Sequence, residues 1–209
     1  MWYLAVLAAI SSYLLGNLNG AVIVSSAFAH DDVRTHGSGN AGLTNFVRTY
    51  GRKVAVYVIL IDVGKAVLAC FASGMLLNGY GYYTEGVALG ALFVILGHAF
   101  PAFLGFKGGK GILSGVTVAC MMDWRIGLFV FGIFLVAYLL TGYVSLGSVL
   151  SAGSFGIIYA FVHPDAGLFP IAVGLFLSFL VVWMHRANIV RLIKGQERKT
   201  NLLKKGNTE

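Results

Sequence analysis

The chain has 209 residues, of which 58% are hydrophobic and only 11% charged, with a mean hydropathy of +0.83. So few charges cannot cover the surface of a water-soluble domain of this size, which points to a chain solvated by lipid. The net charge of +7 could suit a nucleic-acid binder, but the basic residues lie in short segments beside hydrophobic runs. That placement fits attraction to anionic lipid head groups and argues against nucleic acid as a partner.

An all-α polytopic membrane protein is predicted. No Pro/Ser-rich linker, low-complexity run or fixed-period repeat divides the chain, so residues 1–209 are expected to form a single membrane domain. A helix needs about 20 residues to cross the hydrocarbon core. Seven segments are candidates: 2–28, 54–77, 86–104, 112–122, 126–141, 146–162 and 168–184. Cys70 and Cys120 fall inside apolar stretches and read as packing residues.

The first span is interrupted by Gly16, Asn17, Asn19 and Gly20. A cleaved signal peptide is the alternative, since Ala27-Phe28-Ala29 resembles a cleavage site. Met1 to Ala9 carry no basic residue and the apolar run is too long, so a retained span is expected. The loop that follows, Gly37-Ser38-Gly39-Asn40-Ala41-Gly42-Leu43-Thr44-Asn45 with Arg48 beyond it, is rich in donors. Glycines let backbone N–H groups converge on an anion, the side chains add donors, and Arg48 adds a forked cation. A flexible solvated turn is the bland reading.

The second span carries Asp62 and Lys65 three residues apart on one helical face. Each alone would cost about 2.5–3.5 kcal/mol at the centre of an inserting helix, so mutual pairing is expected. At the end of the third span comes Gly97-His98-Ala99-Phe100-Pro101, running on to Gly105-Phe106-Lys107-Gly108-Gly109-Lys110-Gly111. A nucleotide P-loop is rejected: three residues, not four, separate Gly105 from Gly109-Lys110, no Ser or Thr follows the lysine, and an apolar helix precedes. A looser anion cradle with Lys107 and Lys110 as point charges survives. His98 reads equally as a packed or capping histidine. Gly86 with Gly90, and Gly111 with Gly115, are expected to let helices approach closely.

The sixth span opens on Tyr143-Val144-Ser145-Leu146-Gly147-Ser148, and serines recur at 145, 148, 151 and 154, a spacing that also suits plain helix packing. After the seventh span, His185, Asn188 and Arg191 share one face of a basic segment. An interfacial helix resting on head groups is the bland reading there.

Assigning alternate loops to opposite sides gathers Arg34, Arg48, Arg52, Lys53, Lys107, Lys110 and the basic residues from Arg186 to Lys205 on one side. The other side holds Arg125 with Glu85, Asp123 and Asp165. The positive-inside rule then places the N-terminus outside and the C-terminus in the cytoplasm, which requires an odd number of spans. All three polar segments fall on the cytoplasmic side. No metal is expected, because His30, Asp31, Asp32 and His36 lack ligand spacing. The histidine-aspartate signature of soluble glycerolipid acyltransferases is absent: the fifth residue after each histidine is Thr35, Ala41, Phe103, Leu168 or Val190.

Taken in order, GSGNAGLTNFVR, GHAFPAFLGFKGGKG, and YVSLGS with HRANIVRLIKGQE resemble the bacterial acyl-phosphate:glycerol-3-phosphate acyltransferase family, the PlsY type. The departures, at Leu43, at Gly16-Asn17-Leu18-Asn19 and at Ile112-Leu113-Ser114, remove no polar group expected at the substrate. The resemblance implies a bundle of seven transmembrane helices in the bacterial inner membrane. It implies transfer of an acyl group from acyl phosphate to glycerol 3-phosphate, without metal or cofactor, with the active site on the cytoplasmic side. Membrane lipid and the soluble enzyme that makes acyl phosphate are the further partners implied.

Carried over by residue, Ser38, Gly39, Asn40, Thr44 and Asn45 would cradle the donor phosphate. Arg48, Lys110, Ser148, His185 and Asn188 would bind glycerol 3-phosphate. Lys107 would add positive potential, with His98, Gly108 and Gly109 completing the substrate-binding set. Ser38, Lys110, His185 and Asn188 are the expected catalytic residues. The proton acceptor is left open between a substrate phosphate, His185 and His98. The rival reading is a transporter of a phosphorylated solute, which should instead place polar groups near the midplane.

Overall fold

A computed structural model describes residues 2–200, which contain ten α-helices and two single 3₁₀ turns. Lys204 and Lys205 of the C-terminal basic run lie outside the described residues. In chain order the helices are α1 (Trp2–Asn17), α2 (Gly20–Ala29), α3 (Leu43–Tyr50), α4 (Arg52–Asn78) and α5 (Tyr83–Ala99). They continue as α6 (Ile112–Met122), α7 (Trp124–Thr141), α8 (Val144–Val162), α9 (Leu168–Met184) and α10 (Arg186–Ile193). Among the described residues, five spans are long and apolar enough to cross a membrane, with α1 and α2 together forming one, and six if α9 and α10 count as a single span bent by 57°. At 11 residues α6 reaches only about half of the hydrocarbon thickness.

The surface bears out a lipid solvent. Leu140, Phe161 and Leu168 are more than four-fifths exposed, and α7 presents Leu128, Phe129, Leu135, Val136 and Leu139 outward along its length. An apolar face of this extent would be untenable in water. Inside, α5 is the central element, with Ala88, Ala91, Val94 and Ile95 buried against α4, α6 and α9.

The first apolar stretch is broken where its polar residues suggested. Asn19 adopts an extended conformation and its side chain accepts the Val22 N–H at 3.1 Å, which ends one helix and caps the next. Within lipid, the backbone groups freed by such a break must find partners in protein. They find them on α4: the Gly20 N–H donates to Asp62 Oδ1 at 3.2 Å, and Lys65 Nζ donates to the Leu18 carbonyl at 2.8 Å. Asp62 and Lys65 also pair at 2.7 Å, each side chain only 2% exposed.

Of the two glycine pairs expected to let helices approach, one does so. A Cβ on Gly86 would lie 2.4 Å from the Ser73 carbonyl of α4, and one on Gly90 2.5 Å from that of Ala69. Gly115 has nothing within 4 Å, and Gly111 instead takes a left-handed φ of +78° to start α6. On the far side from the polar loops, Asp123 caps α7 and holds His163 Nε2 at 2.8 Å, tying the start of α7 to the end of α8.

Gly90→Ala should destabilise the protein by about 1–3 kcal/mol, because the α4 backbone has to move. Gly132→Ala, on α7 with nothing within 4 Å of its Cβ, should be neutral or stabilising by up to about 1 kcal/mol. Thermal unfolding in lipid nanodiscs of both variants checks the contrast.

Candidate active site

The polar loops close around a cavity of about 650 Å³ whose lining joins residues from positions 37–48, 110–116, 144–148 and 185–198. That size is typical of a small-molecule site. The lining is sharply two-ended. Arg48, Lys110, Arg191 and Arg198 stand around one end with two carboxylates on the lining, Glu197 paired with Arg191 and Asp62 paired with Lys65, while Leu113, Val116, Phe131, Phe134 and Val144 form an apolar slot between α6, α7 and α8 at the other. The first end attracts anions. The second suits a hydrocarbon chain.

The first loop is held by Asn45. Its side-chain oxygen accepts the Ser38 N–H at 2.9 Å, and its amide nitrogen donates to the carbonyls of Val33 and His36, both at 3.0 Å. Both its side-chain donor protons are spent inside the loop, so Asn45 shapes the cradle and does not offer it a free donor. Asn19 ties the same loop to the helix break by donating to the Ala41 carbonyl at 3.0 Å. Ser38, Gly39, Asn40, Thr44 and Asn45 itself all line the cavity.

The second segment departs from expectation. The Gly108 N–H pairs with the Ala99 carbonyl at 3.2 Å and the Gly109 N–H with that of His98 at 3.1 Å. These bonds satisfy carbonyls left open at the end of α5, so neither amide is free for an anion and neither residue lines the cavity. Lys107 is exposed, outside the cavity, and its carbonyl accepts from Arg34 at 3.3 Å. Lys110 is the residue this segment delivers. Its ammonium donates to Asn188 Oδ1, and burial, with Arg191 and Arg48 adding to it, lowers its pKa to about 8.

On the opposite wall, Ser148 is buried with its hydroxyl donating to the Val144 carbonyl at 2.9 Å. His185 sits at the bend between α9 and α10. Its Nδ1 lies 2.7 Å from the Val181 carbonyl, which can only accept, so the proton is on Nδ1 and the Nε2 lone pair is free. Asn188 bridges two charges, accepting from Lys110 and donating to Glu197 Oε1 at 2.8 Å.

Sequence reasoning gave Glu197 no role, yet it organises this wall. It accepts from Ser145 at 3.0 Å, from Asn188, and from Arg191 at 2.7 Å. Burial pushes its pKa up, but these three hydrogen bonds outweigh that and hold it below the ordinary value. Its signal was a single carboxylate in a basic segment. The chain beyond it crosses the cavity: Arg48 donates to Thr200 Oγ1, the Thr200 N–H to the Gly142 carbonyl at 3.0 Å, and Tyr138 to the Thr200 carbonyl at 3.0 Å.

Residues 6–195 match the family model described as glycerol-3-phosphate acyltransferase. The chain belongs to the glycerol-3-phosphate acyltransferase family. It is 40% identical over 195 residues to the glycerol-3-phosphate acyltransferase of Clostridioides difficile (strain 630), covering 93% of this chain and 94% of that one. It is also similar to two crystal structures of the integral membrane glycerol 3-phosphate acyltransferase PlsY. The glycerol 3-phosphate form matches with a TM-score of 0.84 at 30% identity, and the lysophosphatidic acid form with 0.81 at 29%. Each comparison covers 95% of this chain and 96% of the other. The acyltransferase chain is thus a multi-pass integral membrane protein.

Gly109→Ala should damage this acyltransferase although Gly109 itself does not line the cavity. The added Cβ would lie 2.2 Å from His98 Nε2 and 2.7 Å from the Ala41 carbonyl, so Lys110 next along the chain must shift. A displacement of about 1 Å is expected to lower kcat/KM for glycerol 3-phosphate by about a hundredfold. Steady-state kinetics on the purified variant measure it.

Proposed function

We propose that the protein transfers a fatty acyl group from acyl phosphate to the 1-hydroxyl of glycerol 3-phosphate, giving lysophosphatidic acid and inorganic phosphate as the first step of bacterial phospholipid synthesis. The observation that carries this reading is the single cavity with a cationic end and an apolar slot. A phosphorylated acceptor and a long-chain acyl donor need both at once.

Acyl phosphate is a mixed anhydride, so its carbonyl is already activated and phosphate is a good leaving group. No protein nucleophile is required. The site has to hold two anions together and align hydroxyl with carbonyl, so proximity and charge stabilisation supply the catalysis. Ser38, Gly39, Asn40 and Thr44 surround the donor phosphate on a loop shaped by Asn45. Arg48, Lys110, Ser148 and Asn188 take the phosphate of the acceptor. The hydroxyl oxygen bonds to the carbonyl carbon, the carbon–oxygen bond to phosphate breaks, and the hydroxyl proton ends on the departing phosphate. It passes there directly or through the free Nε2 of His185.

We further infer seven crossings, with α6 as a short one sheltered between α4 and α7, the N-terminus outside and the C-terminus in the cytoplasm. The distribution of basic residues supports that orientation. It puts the cavity at the cytoplasmic face of the inner membrane, where a soluble enzyme making acyl phosphate can hand over the donor.

The protein in lipid nanodiscs, given glycerol 3-phosphate, should make lysophosphatidic acid from acyl phosphate and none from acyl-CoA. Equal rates with both donors would contradict the donor assignment, and no product from either would contradict the reaction. Lys110→Ala should lower turnover by about a thousandfold while membrane insertion is intact. Because a lysine is needed as its cation and Lys110 loses its proton near pH 8, kcat/KM should fall as pH rises through about 8. Lys110→Arg, whose cation persists, should remove that limb, and a profile unchanged by this substitution would assign the limb elsewhere.

A further inference from the structure

Lys65 is buried far from any exposed anion, and its ammonium has three protons to place. Around it stand the Leu18 carbonyl at 2.8 Å, Asp62 Oδ1 at 2.7 Å and His98 Nδ1 at 2.9 Å, with the Gly16 carbonyl further off at 3.4 Å. The carbonyls and the carboxylate can only accept. An ammonium has no lone pair, so His98 Nδ1 must also accept, and the imidazole proton is then confined to Nε2.

That Nε2–H makes no hydrogen bond among the described residues, and since no side-chain polar atom there is sealed off without a partner, it is open to the cavity that His98 lines. It borders the cavity beside the first loop. Gly109 leaves it room, since a side chain there would cover it at 2.2 Å, with the Ala41 carbonyl close by. An N–H that opens on a cationic cavity and has no protein partner is a donor available to the oxygen of a bound anion.

We propose that His98 Nε2–H is a fixed hydrogen-bond donor to a phosphoryl oxygen in the cavity, and that Lys65, oriented by Asp62, is a positioning residue that sets its tautomer. His98 is then no candidate for the general base, since its one cavity-facing nitrogen already carries a proton. His185 is its complement across the cavity, with the proton on Nδ1 and the lone pair on Nε2. The proposal rests on the acyl-transfer reading only for the name of the anion.

The test is nitrogen NMR of the full protein labelled with 15N-histidine in nanodiscs, with His98→Gln assigning the resonance. The expected spectrum has His98 with the proton on Nε2, and Asp62→Asn combined with Lys65→Met releases that preference. An Nδ1–H or doubly protonated ring in the wild type would overturn the proposal. Glycerol 3-phosphate and inorganic phosphate are then added separately and together. A shift of Nε2 on glycerol 3-phosphate alone supports the donor and assigns it to the acceptor phosphate. A shift that needs inorganic phosphate supports it and assigns it to the donor site. No shift with either overturns it, whether or not the protein transfers acyl groups.

In the acyl-transfer assay, His98→Gln keeps an N–H near the Nε2 position and should stay within about tenfold of wild type. His98→Leu, similar in size without a donor, should lose about a hundredfold in kcat. Equal losses in the two variants would overturn the donor role. These arms stand even if the variant lacking both buried charges does not fold.

Discussion

One ammonium group, Lys65 Nζ, joins the parts of this protein that a lipid environment would otherwise drive apart. A charge at this depth is tolerated only when every proton is placed. Here the placement links three elements: the broken first span through Leu18, α4 through Asp62, and the end of α5 through His98. Because Asn19 of the same break also holds the Ala41 carbonyl, the geometry of the first polar loop is tied to this buried network. Breaking the pair by removing one partner would strand the other in a low-dielectric interior and free the backbone groups of the break.

The cavity follows from how few donors the loops leave unspent. Asn45, Gly108 and Gly109 use their N–H donors to satisfy carbonyls at loop and helix ends, so these glycine-rich segments are tied down by hydrogen bonds. What lines the cavity is a set of cations from α3, the segment before α6 and α10, brought together by the bend at His185 and by the segment around Glu197. That one carboxylate orients Asn188, which in turn holds Lys110. The cationic end is thus built from long-range partners on a lipid-facing frame, with the apolar slot opening between α6, α7 and α8 beside it.

Much of this was legible in the sequence for physical reasons. Composition dictated lipid as the solvent, the spacing of Asp62 and Lys65 dictated a pair, and Gly16, Asn17, Asn19 and Gly20 marked the weakness of the first span. Lys110, His185 and Asn188 stood out as cation and hydrogen-bonding groups on one side. What could not be read was the use of each donor. Gly108 and Gly109 look like an anion cradle until the open carbonyls at the end of α5 are counted, and Asn45, which lines the cavity, looks like a free donor until its loop contacts are seen. Gly115 matched a helix-crossing pattern but faces open space. Ser145 lies 52 residues before its partner Glu197, and Lys65 lies 33 before its partner His98, and no local pattern announces either contact.

The central claim is that one cavity holds acceptor and donor together, phosphates at the cationic end and acyl chain in the slot. An experimental structure in lipid with glycerol 3-phosphate and an inert acyl phosphonate tests it most directly. The account predicts both phosphorus atoms within the ring of Arg48, Lys110 and the first loop, and the chain between Leu113, Val116 and Phe134. Either ligand bound outside that cavity, or one excluding the other from it, would contradict the account.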